Sequence, residues 1–346
     1  MTPVVPTTPT TPSPVVPPTP STVPAGSGPF LGIDISKDKL DLAVHPHKQT
    51  HTFANDAAGI RQLLELIRPM QPRLVVLEAT GGYERELLYQ GLDAGLPFAR
   101  VQPGRVRYHA LSHGLLAKTD RLDARVIASF AQSVVPAVTR RRSAAQDELD
   151  ALLVCRRQLI HARTAHGNQA ERAASDFARN SLKRVLRQVQ KEVDAIDKRI
   201  AKIIDADEDL SGLRDVLDSV PGVGPTTAAT LAGQLPELGK VDRCQISALA
   251  GLAPYNEDSG DHTGKRAIRG GRAEVRSILY MTTLTAVRCN PVIKEFAERL
   301  RKAGKAFKVM MVACMRKLLT MLNAIARDRR PWMPPAARPA APEALA

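Results

Sequence analysis

Aromatic side chains are scarce. Phe, Trp and Tyr make up 4% of the 346 residues, and there is a single Trp. Single-strand binders stack successive bases on such rings, so a stacking platform is not expected. Cysteines are also few. Cys155, Cys244, Cys289 and Cys314 stand far apart with no CxxC spacing, which argues against a zinc ribbon or a disulfide scaffold and fits a reducing cytosol. No apolar run approaches the roughly 18 residues of a spanning helix. The first residues show neither the basic start nor the apolar stretch of a signal peptide. Acids are short as well: 35 Asp and Glu against 49 Lys and Arg leave a formal net charge of +14. An excess of that size calls for a polyanionic partner, nucleic acid first and an anionic membrane surface second.

What is present falls into five stretches. Residues 1–28 are almost all Pro, Thr, Val and Ser, too poor in bulky apolar side chains to fold. Residues 333–346 have the same character. Between these tails, 29–142 alternates strand and helix patterns. "FLGIDIS", "KLDLAVH" and "THTFAN" read as three strands joined by tight turns. "AGIRQLLELIRPM" follows with helical spacing and Asn55 or Asp56 as cap. "RLVVLEAT" is a buried strand, "GYERELLYQGLDAG" a helix, "LPFARVQP" a strand, and helices around "VRYHALSHG" and "TDRLDARVIASFAQ" complete the unit. That order is the order of an RNase H-like, mixed α/β sheet. Residues 143–210 carry a heptad seam, Leu182, Leu186, Val189, Val193, Ile196, Ile200 and Ile203, which predicts a long helix serving either as a coiled coil between chains or in packing against the Leu149–Ile160 helix. Residues 211–332 read as a second, mainly helical domain. The fold class is thus α/β plus all-α.

The acids of the first domain point to chemistry. Asp34 ends the first strand and Glu78 a later parallel one. Asp120 and Asp123 share one helix face. Each has an ordinary reading: a turn or cap for Asp34 and Glu78, and salt bridges to Lys118, Arg121 or Arg125 for the helical pair. Together, in this fold order, the four would converge where a late helix packs across the sheet edge. Clustered carboxylates raise one another's pKa unless hard cations compensate, and Mg²⁺ (or Mn²⁺) takes carboxylate oxygens and binds phosphate. His45, His47 and His51 fall in a hairpin and read as a solvated turn. "PGVGPTTAA" fits a helix-hairpin-helix turn, with Gly222 and Gly224 letting backbone approach a phosphate. In "APYNEDSGDHTGKRAIRGGRAEVRS", Ser259 sits in a Gly-rich loop followed by Lys265, Arg266, Arg269, Arg272 and Arg276. A serine there is either a turn former or a nucleophile whose transition-state charge the guanidinium groups would stabilise.

These stretches resemble a known family. "GIDISKDKLDLAV", "VLEATGGYERELL", "GLLAKTDRLDARVIASFA", "SVPGVGPTTAATLAG", "ALAGLAPYNEDSG" and "GKRAIRGGRAEVRSILYM" occur in the order seen in the DEDD-type transposases of bacterial insertion sequences, the one-hundred-ten and eleven-eleven group. The likeness runs from about Phe30 to Trp332. It implies a RuvC-like domain with a metal-binding catalytic tetrad on Asp34, Glu78, Asp120 and Asp123, a helical linker, and a transposase domain whose nucleophile falls on Ser259. It further implies a bacterial, cytoplasmic recombinase, at the nucleoid when acting, that joins donor and target double-stranded DNA through a covalent phosphoserine. An element-encoded structured RNA would guide it, and the assembly would be a dimer of dimers with no membrane partner. Lys118 and the glycines and basic residues above would contact nucleic acid. The alternative is a metal-dependent nuclease of the Holliday-junction resolvase kind, which hydrolyses DNA with the acids alone.

Overall fold

The computed structural model describes residues 28–47, 49–115, 120–255, 258–259, 262–264 and 266–334; the side chains of residues 120–122, 258–259 and 262–263 lie outside that set. The expectations for the tails at 1–27 and 335–346 also lie outside it. The chain forms two compact units that divide between Arg142 and Ser143.

The N-terminal unit is built on five strands. β1 (Phe30–Ile35), β2 (Lys39–His45) and β3 (Thr50–Ala54) form an antiparallel meander. α1 (Ala57–Ile67) follows, with the Asp56 carboxylate accepting the Gly59 N–H at 2.8 Å as its cap. Then come β4 (Leu74–Glu78), α2 (Arg85–Asp93), β5 (Phe98–Val101), α3 (Pro103–Ser112) and α4 (Asp120–Val134). The strand order is β3-β2-β1-β4-β5, with β4 and β5 parallel to β1 and to each other. Such a mixed sheet arises when a hairpin meander is extended by crossover connections.

Alternation along the strands sorts the core. Leu31, Ile33, Leu40, Leu42, Val75 and Leu77 point to the face covered by α1 and α2. Leu74, Val76, Ala99 and Val101 point to the opposite face, under α3 and α4. α4 lies across this face. Small residues allow it: Ala43, Ala124 and Ala128 form one buried cluster. A Cβ on Gly32 would stand 2.2 Å from the Ala128 nitrogen and 2.4 Å from the Ala124 oxygen.

The C-terminal unit opens with two long helices, α5 (Ala144–Arg172) and α6 (Asp176–Asp205). They pack antiparallel, tied by Arg156–Asp197 and Arg199–Glu148 ion pairs at 2.5 and 2.7 Å. Within the chain the heptad seam therefore faces α5. Val193, Ile200 and Ile203 are buried, whereas Leu182, Leu186 and Val189, towards the far end, are only half-buried. Next come α7 (Glu208–Asp218), α8 (Pro225–Gln234) and α9 (Arg243–Leu249). A two-step antiparallel ribbon follows, β6 (Pro254–Tyr255), β7 (Asp258–Ser259), β8 (His262–Thr263) and β9 (Ala267–Ile268), with β6 paired to β9 and β7 to β8. α10 (Ala273–Cys289), α11 (Pro291–Lys302) and α12 (Phe307–Asp328) complete it. Among the described helices, α12 alone has the length and mean hydropathy, 1.5, of a membrane span, although the sequence showed no unbroken apolar run. Its apolar side chains are the centre of this unit's core.

Candidate functional site

The register of the sheet brings Asp34 and Glu78 side by side. β1 and β4 pair with Ile33 beside Leu77, so the next residues, Asp34 and Glu78, stand abreast. Both belong to the strand positions that alternate towards the α4 face, as Gly32 and Val76 do. Neighbouring strands lie about 4.8 Å apart, a spacing at which two carboxylates can share a cation. The direction of α4 adds the rest. Phe30 packs against the cluster holding Ile127, Phe130 and Ala131, whereas Gly32 meets Ala124 and Ala128. α4 thus runs antiparallel to β1, and its first turn, with Asp120 and Asp123, lies over the Asp34 end. Asp123 is half-buried, and the Asp120 side chain is outside the described set.

Two further facts qualify the donor set. Asp41 pairs directly with Asp34 across β1 and β2 and so occupies the same face; its carboxylate accepts the Thr52 hydroxyl at 2.5 Å. Sequence reading passed over Asp41 because alternation shows the face of a strand but not its partner. Among the described residues no group of three or more His, Cys, Asp or Glu is already gathered for ligation, the three hairpin histidines included. The chemistry of the donors present, carboxylate oxygens on adjacent strands, fits a hard divalent ion.

Behind the acids lies a hydrogen-bonded frame that sequence reading missed. Glu84 is 2% exposed. Its Oε2 accepts the Gly82 N–H at 2.8 Å, the Thr80 hydroxyl at 3.1 Å and the Thr80 N–H at 3.2 Å, and its Oε1 accepts from Arg100 at 3.3 Å. Burial alone would raise this carboxyl. The N–H groups of Glu84, Gly82 and Thr80 and the Thr80 hydroxyl outweigh burial and hold its pKa below the ordinary value, as expected for an anion accepting several N–H bonds. Asn55 joins two loops: its side-chain amide donates to the Ser36 carbonyl at 2.9 Å and to the Tyr83 carbonyl at 3.3 Å.

In the C-terminal unit Ser259 ends β7 and pairs with His262. Of the basic residues that follow, Lys265 lies outside the described residues, as does Lys118 in the other unit, whereas Arg266 and Arg269 are exposed. Arg272 and Arg276 are already engaged within the unit. Arg272 makes a bidentate pair with Glu237, both bonds 2.6 Å. Burial raises the Glu237 carboxyl, but Arg272 outweighs it and holds the pKa below the ordinary value. Arg276 donates to the Gly270 carbonyl at 2.7 Å. Arg272 ties the start of α10 to the loop after α8, and Arg276 holds the backbone just after β9, which a count of positive charges does not reveal. Gly222 and Gly224 also part company. Gly222 has φ of 95° and a Cβ there would meet the Ala286 Cα at 2.7 Å, so its side is packed against α10; Gly224 faces open space.

Beside the ribbon is a cavity of about 1630 Å³ between β6, β9 and α12. Ile268, Val309, Val312 and Met321 line its floor, and Arg243, Arg266, Lys308 and Arg316 stand among its lining residues.

Comparison with known proteins shows which family the chain is similar to. A model of DEDD transposases of the IS110 kind matches residues 31–176, and a model of the transposase IS116/IS110/IS902 family matches residues 214–298. The chain is 28% identical over 317 residues to the pilin gene-inverting protein of Moraxella bovis, covering 88% of this chain and 97% of that one. It is 26% identical over 267 residues to the transposase for insertion sequence element IS1111A of Coxiella burnetii, covering 67% of this chain and 70% of that one. With one model of this family matching each of its two units, the chain belongs to the IS116/IS110/IS902 family of transposases.

Proposed function

We propose that the protein cuts and rejoins DNA through a metal site on the sheet of its N-terminal unit and a serine nucleophile in its C-terminal unit. The observation that carries the first half is the placing of Asp34 and Glu78 abreast under the first turn of α4. We read the N-terminal unit as an RNase H-like, RuvC-like domain on its strand order. Asp34, Glu78, Asp120 and Asp123 would hold Mg²⁺ or Mn²⁺. When bound, the ion would offset the repulsion among these carboxylates and the charge developing on the scissile phosphate.

The Ser259 oxygen attacks phosphorus, and a DNA hydroxyl leaves with the proton the serine gives up. Reversal on another strand's hydroxyl joins the two DNAs and frees the serine. Arg266 and Arg269, exposed near the ribbon, counter the phosphate charge, with Lys118, Lys265 and Gly224 as further contacts to the backbone. We assign α7 and α8 with the Gly224 turn to a helix-hairpin-helix role in holding DNA. A structured RNA from the same element is the assigned guide, in keeping with the +14 charge. For joining two DNAs we assign a dimer of dimers in the bacterial cytoplasm.

The test is in vitro recombination with the element's RNA, with protein–DNA adducts resolved on a denaturing gel. Asp34→Ala and Asp123→Ala are expected to bind nucleic acid but to give neither adduct nor product. Ser259→Ala is expected to give no adduct. DNA cleaved by Ser259→Ala at the wild-type rate would remove the serine and leave a hydrolytic nuclease acting with the acids alone.

A further inference from the structure

We propose that Glu84 and Asn55 are positioning residues that fix Asp34 and Glu78 as metal ligands, a role that rests on the metal-site reading above. Glu78 is the last residue of β4, and a strand end frays unless something beyond it is held. Two anchors hold it. On the sheet side, the Ala79 N–H donates to the Val101 carbonyl at 2.9 Å and extends the β4–β5 ladder one step past Glu78. On the loop side, Glu84 gathers the Thr80 and Gly82 N–H groups into one carboxylate and bonds through Arg100 to β5. The turn between Glu78 and α2 contains Gly81 and Gly82, both with positive φ, 79° and 123°. Such a turn is conformationally free in isolation, so the buried anion closes it.

Asn55 does the corresponding work between loops. Ser36, whose carbonyl it takes, lies two residues beyond Asp34, and Tyr83 lies next to Glu84. The backbone N–H of Asn55 also donates to Asp38 at 3.0 Å. One side chain therefore ties the loop after Asp34 to the loop after Glu78. Neither residue faces the acids as a ligand; both set the spacing of the two strands' ends. Metal ligands must sit within about 0.2 Å of their proper distances, and loss of an outer partner commonly lowers metal affinity by about 10–100-fold.

The experiment measures Mn²⁺ binding by the nucleic-acid-free full chain, from the EPR signal of the free ion, alongside thermal unfolding. Asn55→Ala and Glu84→Gln are expected to weaken Mn²⁺ binding by about 10-fold or more at temperatures where both remain folded. Asn55→Ala is the milder change, since Asp56 and not Asn55 caps α1, and it keeps the test open should Glu84→Gln fold poorly. Asn55→Asp keeps the size but cannot donate to the two carbonyls, and is expected to fail as Asn55→Ala does. Asp34→Ala is the reference. Should Asp34→Ala lose Mn²⁺ while both positioning variants bind it as the wild type does, the positioning role is overturned and the metal site stands. Equal binding by Asp34→Ala and wild type would overturn both.

Discussion

Adding one methyl group at Gly32 should part α4 from β1. The Cβ would stand 2.2 Å from the Ala128 nitrogen and 2.4 Å from the Ala124 oxygen, and ordinary contact begins at 3.4 Å. Both opposing atoms are backbone, so no side chain can turn aside, and α4 must retreat by about 1.2 Å. Overpacking of this kind costs about 1–3 kcal/mol. For a unit of this size that lowers the unfolding midpoint by roughly 4–12 °C. The functional effect should exceed the loss of stability. The same retreat carries Asp120 and Asp123 away from Asp34 and Glu78 by several times the tolerance of a ligand distance, about 0.2 Å. Gly32→Ala is therefore expected to lose Mn²⁺ binding and recombination at temperatures where circular dichroism shows it folded. Gly104→Ala, where nothing lies within 4 Å, is the control and should keep both. A Gly32→Ala protein that melts with the wild type and binds Mn²⁺ as tightly would refute the packing argument.

Two further outcomes are expected. Gly167 lies inside α5 with nothing within 4 Å of its missing Cβ, so Gly167→Ala should stabilise the chain by about 0.5–1 kcal/mol, read as a raised denaturation midpoint at unchanged slope. Glu237 has its carboxyl held low in the folded chain. Its contribution is present above the ordinary Glu range and is lost as pH falls through the lower, folded value; acid titration of stability should thus show a step that Glu237→Gln lacks, and identical acid curves would assign the Arg272 pair no weight.

The strands and helices of the N-terminal unit were legible because each buries a face at its own period. Leu31, Ile33 and Ile35 alternate, and Ile60, Leu63, Leu64 and Ile67 recur at helical spacing. The assignment of Asp34 and Glu78 to strand ends followed from the same pattern. Their register did not, because pairing is a relation between strands and appears in neither alone. Glu84 and Asn55 were hidden for a related reason. Their partners are backbone groups, which every residue carries, and Asn55 reaches one of them 28 positions away. In sequence Asn55 and Asp56 were equal candidates for the cap of α1; Asp56 is the cap, which leaves Asn55 free for its longer reach. The arginines after Ser259 looked alike as charges, and only the fold separates Arg266 and Arg269, which are exposed, from Arg272, which is bound to an acid 35 positions away. The apolar content of α12 was spread among lysine and arginine, so a search for unbroken runs did not find it.

The place of α12 in the chain has a consequence for the order of events at the ribosome. Ten of its side chains, from Met310 to Ala326, are buried, and all of these but Asn323 join residues from α7 onwards in one cluster. That cluster has no centre until the last of these helices has been synthesised. The N-terminal unit ends at Arg142, and domains generally fold as units as they emerge, at about 5–20 residues per second. A nascent chain thus carries a folded set of acids for many seconds before Ser259 rests on a finished scaffold. A chain interrupted before Met310 would keep the sheet but lack the core beneath the serine ribbon. On the proposed division of labour, an incomplete translation product cannot join DNA, and the capacity to break a chromosome matures only when synthesis of the polypeptide is nearly over.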